Sequence, residues 1–249
     1  LSLVHAVHTV SYVKALTELT LDAKAVRSIG FPLSAALVER ELRIAQGTVV
    51  GCNHALENGI AFNIAGGTHH AFSDRGEAFC LLNDQAIAAQ YLINQKKCHK
   101  ILIVDLDVHQ GNGTAEIFQN NADVITFSMH GQSNYPFRKE TSDYDIALPD
   151  KTDDTTYLSI LQETLPELLN IHRPDFVFYL AGVDILGTDK LGKLGCTLEG
   201  CKARDSYVLG LCKSLGIPVQ VSMGGGYSPA IKTIIEAHAN TYRVARVLY

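Results

Sequence analysis

Along this chain, short apolar runs rich in β-branched and aromatic residues alternate with longer stretches of helical periodicity. The runs predict strands over Ile60–Ile64, Lys100–Asp107, Val124–Ser128, Phe176–Ala181 and Val219–Ser222. Their near-continuous apolar character is what a parallel sheet covered on both faces demands. Helical patterns fit Leu81–Gln95, Asp154–Asn170, Leu198–Leu215 and Pro229–Ala239, with Asp153-Asp154 and Ser228-Pro229 as starts for two of them. The alternation implies an α/β fold with helices on both faces of a mostly parallel sheet.

Each strand leads into a loop rich in Gly, His or Asp: Gly66-Gly67-Thr68-His69-His70, His109-Gln110-Gly111-Asn112-Gly113, Met129-His130-Gly131, Gly182-Val183-Asp184 and Gly224-Gly225-Gly226-Tyr227. Ligands in such sheets bind at the carboxyl ends of the strands, so five polar loops point to one shared site. The most informative of them begins at Asp105-Leu106-Asp107-Val108-His109, after the run Ile101–Val104. If the strand continues, Asp105, Asp107 and His109 project to one face. Carboxylate and imidazole donors suit zinc or a similar cation; the plainer reading is a strand end capped by solvated acids.

Asp184 is the best third ligand, because it ends the apolar run Phe176–Val183, where an unpaired carboxylate would be costly to desolvate. Otherwise it is a helix cap or a surface acid. Two carboxylates and a neutral imidazole cancel the charge of a zinc ion, so its water is acidified less and a separate base becomes necessary. His69-His70 offers that base, with Asp105 and Asn112 as the groups that orient the rings. Asp105 is not assigned to the zinc; it orients His69 or helps bind a monovalent cation with backbone carbonyls and Ser128. Tyr227, behind three glycines, has a phenol able to donate to an oxyanion, although such a loop is also an ordinary flexible connection.

Composition narrows the class. At 249 residues, 47% of them hydrophobic, the chain can bury a sizeable core, and its length fits one large domain over residues 1–249. The net charge of -5 is spread without acidic or basic blocks, which argues against a nucleic-acid surface. Six cysteines without a C-x-x-C pair suit reduced thiols, and a cytoplasmic location is expected. No apolar stretch reaches the roughly 18 residues of a membrane span, and no charged-then-apolar leader opens the chain.

The segments GGTHHAFSDRGEAFCLLND, ILIVDLDVHQGNGT, TFSMH, FYLAGVDIL and SMGGGY, in this order from Gly66 to Tyr227, resemble the zinc-dependent histone deacetylases of the arginase/deacetylase superfamily. Ser73–Gly76, Asp107–Gly113 and Ala181–Leu194 look most like class IV deacetylases and their bacterial relatives. The resemblance implies a three-layer α/β/α fold and removal of acetyl or longer acyl groups from lysine side chains. It implies zinc ligands Asp107, His109 and Asp184, the histidine pair His69 and His70, and a transition-state tyrosine at Tyr227. A potassium site would fall on Asp105, Ser128 and Met129 with the backbone of Asp107 and His109. An acyl-lysine tunnel would be walled by Phe79 and Tyr135, with Ala78 beside them.

Three departures from the family pattern bear on these expectations. Asn112 stands where class I deacetylases have an aspartate, which should make His70 less basic. Ala78 replaces a common glycine. The family's opening strand and His-Pro-Glu loop are not visible before Leu1, so the domain is expected to be truncated or divergent there. Other readings stay open: deacetylation of polyamines or other small amides, and a catalytically silent binding module. A binuclear manganese ureohydrolase would need bridging carboxylates, but Gln110 follows His109 and the next acid after Asp184 is Asp189.

Overall fold

The computed structural model describes all 249 residues. Six strands, β1 (Ile60–Asn63), β2 (Ile101–Asp105), β3 (Val124–Gly131), β4 (Tyr144–Leu148), β5 (Phe176–Leu180) and β6 (Val219–Ser222), form one sheet in the order β1-β6-β5-β2-β3-β4. Every pairing is parallel. The helices are α1 (Val10–Thr17), α2 (Ala23–Ile29), α3 (Ala35–Asn58), α4 (Asp84–Asn94), α5 (Asn112–Phe118), α6 (Asp154–His172), α7 (Leu198–Leu215) and α8 (Ile231–Leu248). None is long and apolar enough to cross a membrane.

The central strands are apolar at every position because both faces are buried. Ile101 and Ile103 of β2, with Phe176 and Phe178 of β5, enter a core shared with α1, α3 and α4. The intervening Leu102, Val104, Val177 and Tyr179 enter a second core with α6, α7 and α8. Period-two alternation between two hydrophobic layers is the physical content of the three-layer α/β/α expectation. All six cysteines are buried and free.

The five predicted strands and four predicted helices are present, with shifted ends. β2 stops at Asp105, two residues earlier than expected, because beyond Leu106, whose N–H donates to Leu180 O, side chains capture the backbone. Asp105 Oδ1 accepts from Asp107 N at 3.1 Å and Asp107 Oδ1 accepts from His109 N at 2.9 Å. These local turns curl the chain out of the sheet, so Asp107 and His109 lie in a loop and not on one face of an extended strand. Asp153 caps α6 through Thr156 N as expected. Ser228-Pro229 does not start α8, which begins at Ile231 while the Ser228 hydroxyl pairs with Thr188.

A buried histidine links the first segment to the sheet. His8 Nδ1 donates to Phe72 O at 2.8 Å, and Nε2 accepts from Asn83 N at 3.0 Å. Burial holds this imidazole neutral, down to about 4. An unfolded histidine takes up its proton near 6.5, so folding stability contributed by His8 falls as pH drops from there toward 4, by up to about 1.4 kcal/mol per pH unit. His8→Gln should flatten that acid limb while lowering stability at neutral pH. Denaturation of metal-free wild type and variant between pH 7 and 4 checks this, and parallel curves would acquit His8.

Candidate metal centre and active site

β2 and β5 are neighbours whose chains leave in opposite directions, β2 toward β3 and β5 toward β6. This is the topological switch point, where a crevice opens at the carboxyl ends. Asp107 and His109 follow β2, and Asp184 follows β5. The loop after β6 supplies Gly225 and Tyr227, and the loop after β1 carries His69 and His70.

Ligand atoms of Asp107, His109 and Asp184 all lie within 4.8 Å of one another. His109 Nδ1 is 3.0 Å from Asp107 Oδ1 and 3.2 Å from Asp184 Oδ2. The remaining oxygens are held by backbone: Asp107 Oδ2 accepts from Gly225 N at 2.8 Å, and Asp184 Oδ1 from Val108 N at 3.0 Å. Glycine is required around this cluster. A Cβ on Gly225 would stand 2.2 Å from Asp184 Oδ2, and one on Gly182 would stand 2.3 Å from Asp107 Oδ2.

The electrostatics fit a cation. Burial and the charge of Asp107 push the Asp184 carboxyl upward. His109 is opposed by burial, but its bonds to Asp107 and Asp184 outweigh this and hold its proton up to about 10. In the metal-free cluster that proton is the positive charge two converging buried acids need; with the ring deprotonated, the same oxygen and nitrogen donors suit a borderline divalent metal. The Asp189 carboxylate belongs to no such cluster: it accepts from the N–H groups of Tyr227, Leu191 and Gly192.

The paired histidines differ in their supports. His69 Nδ1 meets Asp105 Oδ2 at 2.6 Å, whereas His70 Nδ1 meets Asn112 Oδ1 at 2.6 Å. Their ring centroids are 4.0 Å apart. Burial works against charge on both. For His69 the carboxylate of Asp105 overcomes it and raises the ring to about 8. For His70 the charge of His69 adds to burial, and the hydrogen bond to Asn112 is too weak to compensate, so the ring is pushed well below the usual histidine range. One imidazolium therefore sits beside one neutral imidazole.

Asp105 pairs in register with Ser128 on β3, and the adjacent Met129 is fully buried. The Ser128 hydroxyl lies 3.0 Å from His130 Nδ1. Phe79 and Tyr135 line a cavity of about 840 Å³ together with the histidine pair, the three candidate ligands and Tyr227. The Tyr135 ring stands edge-on to His70 at 5.0 Å, and its hydroxyl donates to Glu77 at 2.6 Å. Ala78 and Phe79 have φ of 43° and 69°, fixed by their N–H groups donating to Ser28 O and Ile29 O. That left-handed backbone gives a physical reason for glycine at position 78, and alanine carries some strain there.

Two contributors went unassigned in the sequence. Asp84, buried at the start of α4, accepts from Gly67 N, Thr68 N, Thr68 Oγ1 and Thr48 Oγ1, pinning the loop that presents His69. Its only signal was an acid directly after the Asn83 cap, which also marks an ordinary helix start. Phe31, before α3, also lines the cavity, 5.1 Å from Phe79.

The all-parallel three-layer sheet, with an Asp-His-Asp cluster at its switch point, has the architecture of the arginase/deacetylase class of metal-centred proteins. The histone deacetylase domain family matches residues 2–242, and the chain belongs to that family. It is 48% identical over 243 residues to an uncharacterized protein of Picosynechococcus sp., covering 98% of this chain and 81% of that protein. It is 31% identical over 192 residues to histone deacetylase 2 of Arabidopsis thaliana, covering 76% of this chain and 50% of that one. Histone deacetylase RPD3 of Saccharomyces cerevisiae is 33% identical over 180 residues, 68% of this chain and 40% of its own length. The chain thus spans half or less of the named deacetylases.

Proposed function

We propose that this chain is a zinc-dependent amidohydrolase that removes acyl groups, acetyl or longer, from lysine side chains. The observation that carries the reading is the asymmetric histidine pair, one backed by Asp105 and the other by Asn112, beside the Asp107–His109–Asp184 cluster. When bound there, zinc would polarise the acyl carbonyl and acidify the attacking water. His70, held neutral with Nδ1 engaged by Asn112, has Nε2 available to take the water's proton and return it to the departing amine. His69, charged against Asp105, steadies negative charge as it develops. The Tyr227 phenol, which partial burial and the nearby Asp107 and Asp184 keep protonated, donates to the tetrahedral oxyanion. Phe79 and Tyr135 flank the lysine stem. A potassium ion on Asp105, Ser128, Met129 and the carbonyls of Asp107 and His109 would brace the β2 and β3 ends, and the motifs at Ser73–Gly76 and Ala181–Leu194 favour a class IV kinship.

The test is turnover of acetyl-lysine peptides, longer acyl-lysine peptides and acetylated polyamines, each with and without a chelator. Chelator-sensitive hydrolysis of an acyl-lysine is expected. Exclusive turnover of the polyamines would move the substrate to small amides, and no turnover of any by zinc-loaded protein would favour a silent binding module. Tyr227→Phe should lower kcat by roughly 10²–10³ while retaining zinc. Near-normal kcat in that variant would take the phenol out of the mechanism.

A further inference from the structure

Beneath the metal cluster lies a charged group that the reaction does not use. Arg204 of α7 is fully buried, and its Nη1 donates to Leu106 O at 3.2 Å and to Gly182 O at 2.6 Å. Leu106 immediately precedes Asp107, and Gly182 lies two residues before Asp184. The guanidinium therefore ties the end of β2 to the end of β5 where their loops diverge toward the metal cluster. Its countercharge, the equally buried Asp205, receives Arg204 Nε at 2.9 Å, the Tyr179 hydroxyl of β5 at 2.6 Å and the Thr241 hydroxyl of α8 at 2.6 Å.

The bonds continue upward through the same peptide units. The peptide whose carbonyl is Leu106 O offers Asp107 N to Asp105, the partner of His69. The peptide whose carbonyl is Gly182 O offers Val183 N to Gly225 O, and Gly225 N in turn holds Asp107 Oδ2. A donor pulling on each carbonyl polarises the N–H on the far side of the peptide, so the clamp tightens what lies above it.

Stability alone accounts poorly for this residue. A buried ion pair is commonly no better than apolar side chains of similar volume. Here Nη2, although 2.8 Å from Asp205 Oδ1, has no aligned acceptor, and the Tyr157 hydroxyl is also buried without a partner. An apolar residue could fill the space but could not bond two carbonyls on different strands.

We propose that Arg204 is a positioning residue for the metal site: by joining the Leu106 and Gly182 carbonyls it sets the spacing of Asp107 and Asp184 and so the affinity for the ion they hold. This rests on reading Asp107, His109 and Asp184 as metal ligands. The two acids repel each other across the crevice, and the clamp keeps their loops from splaying.

The test uses the full chain as wild type, Arg204→Met, Arg204→Lys and, as a stability control that bonds none of the clamp's groups, the buried α6 variant Leu161→Ala. Zinc affinity by chelator competition and the visible absorption bands of cobalt-loaded protein are read beside the melting temperature. Arg204→Met is expected to bind zinc roughly 10–100-fold more weakly, the range for groups that orient metal ligands, and to shift the cobalt bands, with Arg204→Lys recovering part of both. Leu161→Ala should melt earlier yet keep wild-type affinity and bands. Folded Arg204 variants with wild-type zinc affinity and cobalt bands would overturn the proposal, as would metal loss in Leu161→Ala matching that in Arg204→Met at equal melting temperature. If neither Arg204 variant is soluble, Tyr179→Phe, which frees Asp205 from β5, is expected to weaken zinc severalfold, and wild-type values there would overturn it equally. A wild-type protein that bound neither zinc nor cobalt would refute the metal-site reading itself, an outcome distinct from loaded wild type with indifferent variants.

Discussion

Asp184→Asn should leave the purified protein without zinc and without acyl-lysine hydrolysis, yet make the metal-free fold more stable than wild type above the carboxylate range. Asp184 is completely buried, and burial together with the charge of Asp107 raises its proton affinity. In the metal-free protein the folded state therefore holds this proton more tightly than the unfolded chain does, and stability falls as pH rises through that window. Asparagine removes the cost. It also removes the charge that a divalent ion needs, and with it the candidate ligand on the β5 side of the crevice. At free zinc a thousandfold above Kd, wild type should gain about 4 kcal/mol from binding, and the variant none. Metal analysis and melting curves with and without zinc check both halves. A variant that retained one equivalent of zinc and the full zinc-dependent stabilisation would remove Asp184 from the site.

That prediction draws on residues legible in the sequence, and the reason is chemical. Asp107, His109, Asp184, the histidine pair and Tyr227 stand where apolar runs end, and a charged or polar group there needs a partner. The order of the strands was not legible, because register and neighbours depend on contacts between distant segments. The placement of Asp107 and His109 in a loop also escaped strand periodicity, since it is made by side chains bonding to nearby backbone. α3 was missed although it is the longest helix. Its apolar stripe is interrupted by Gly47 and Gly51; a Cβ on Gly47 would crowd the Asn63 amide at 3.2 Å, whereas one on Gly51 would make only ordinary contact with Gln220. α5 opens on Asn112-Gly113, which reads as a loop, and Gly113 is needed because a Cβ there would stand 2.2 Å from Ala71 O. β4 is a five-residue edge strand with exposed alternate positions. Asp84 and Arg204 look like ordinary helix residues until the loops they hold are seen in three dimensions.

The second large effect concerns the proposed base, His70. His70→Ala should lower kcat by roughly 10²–10⁴ and leave zinc binding intact, because the ring is outside the Asp107–His109–Asp184 cluster. The more discriminating variant is Asn112→Asp. His70 is kept unprotonated by burial and by the charge of His69, against which the Asn112 carbonyl offers only a neutral acceptor. A base must be unprotonated to act, so wild type should remain active well below the usual histidine range. A carboxylate at position 112 would favour the imidazolium, and an opposite charge at this distance typically moves a pKa by about one to three units. The acid limb of kcat/KM should therefore move to higher pH, with activity at alkaline pH least affected. His69→Phe should move the limb the same way by a smaller amount, since losing the neighbouring positive charge also makes His70 easier to protonate. An acid limb that stayed fixed in Asn112→Asp while His70→Ala was inactive would mean that His70 is needed for position and that the proton is taken elsewhere.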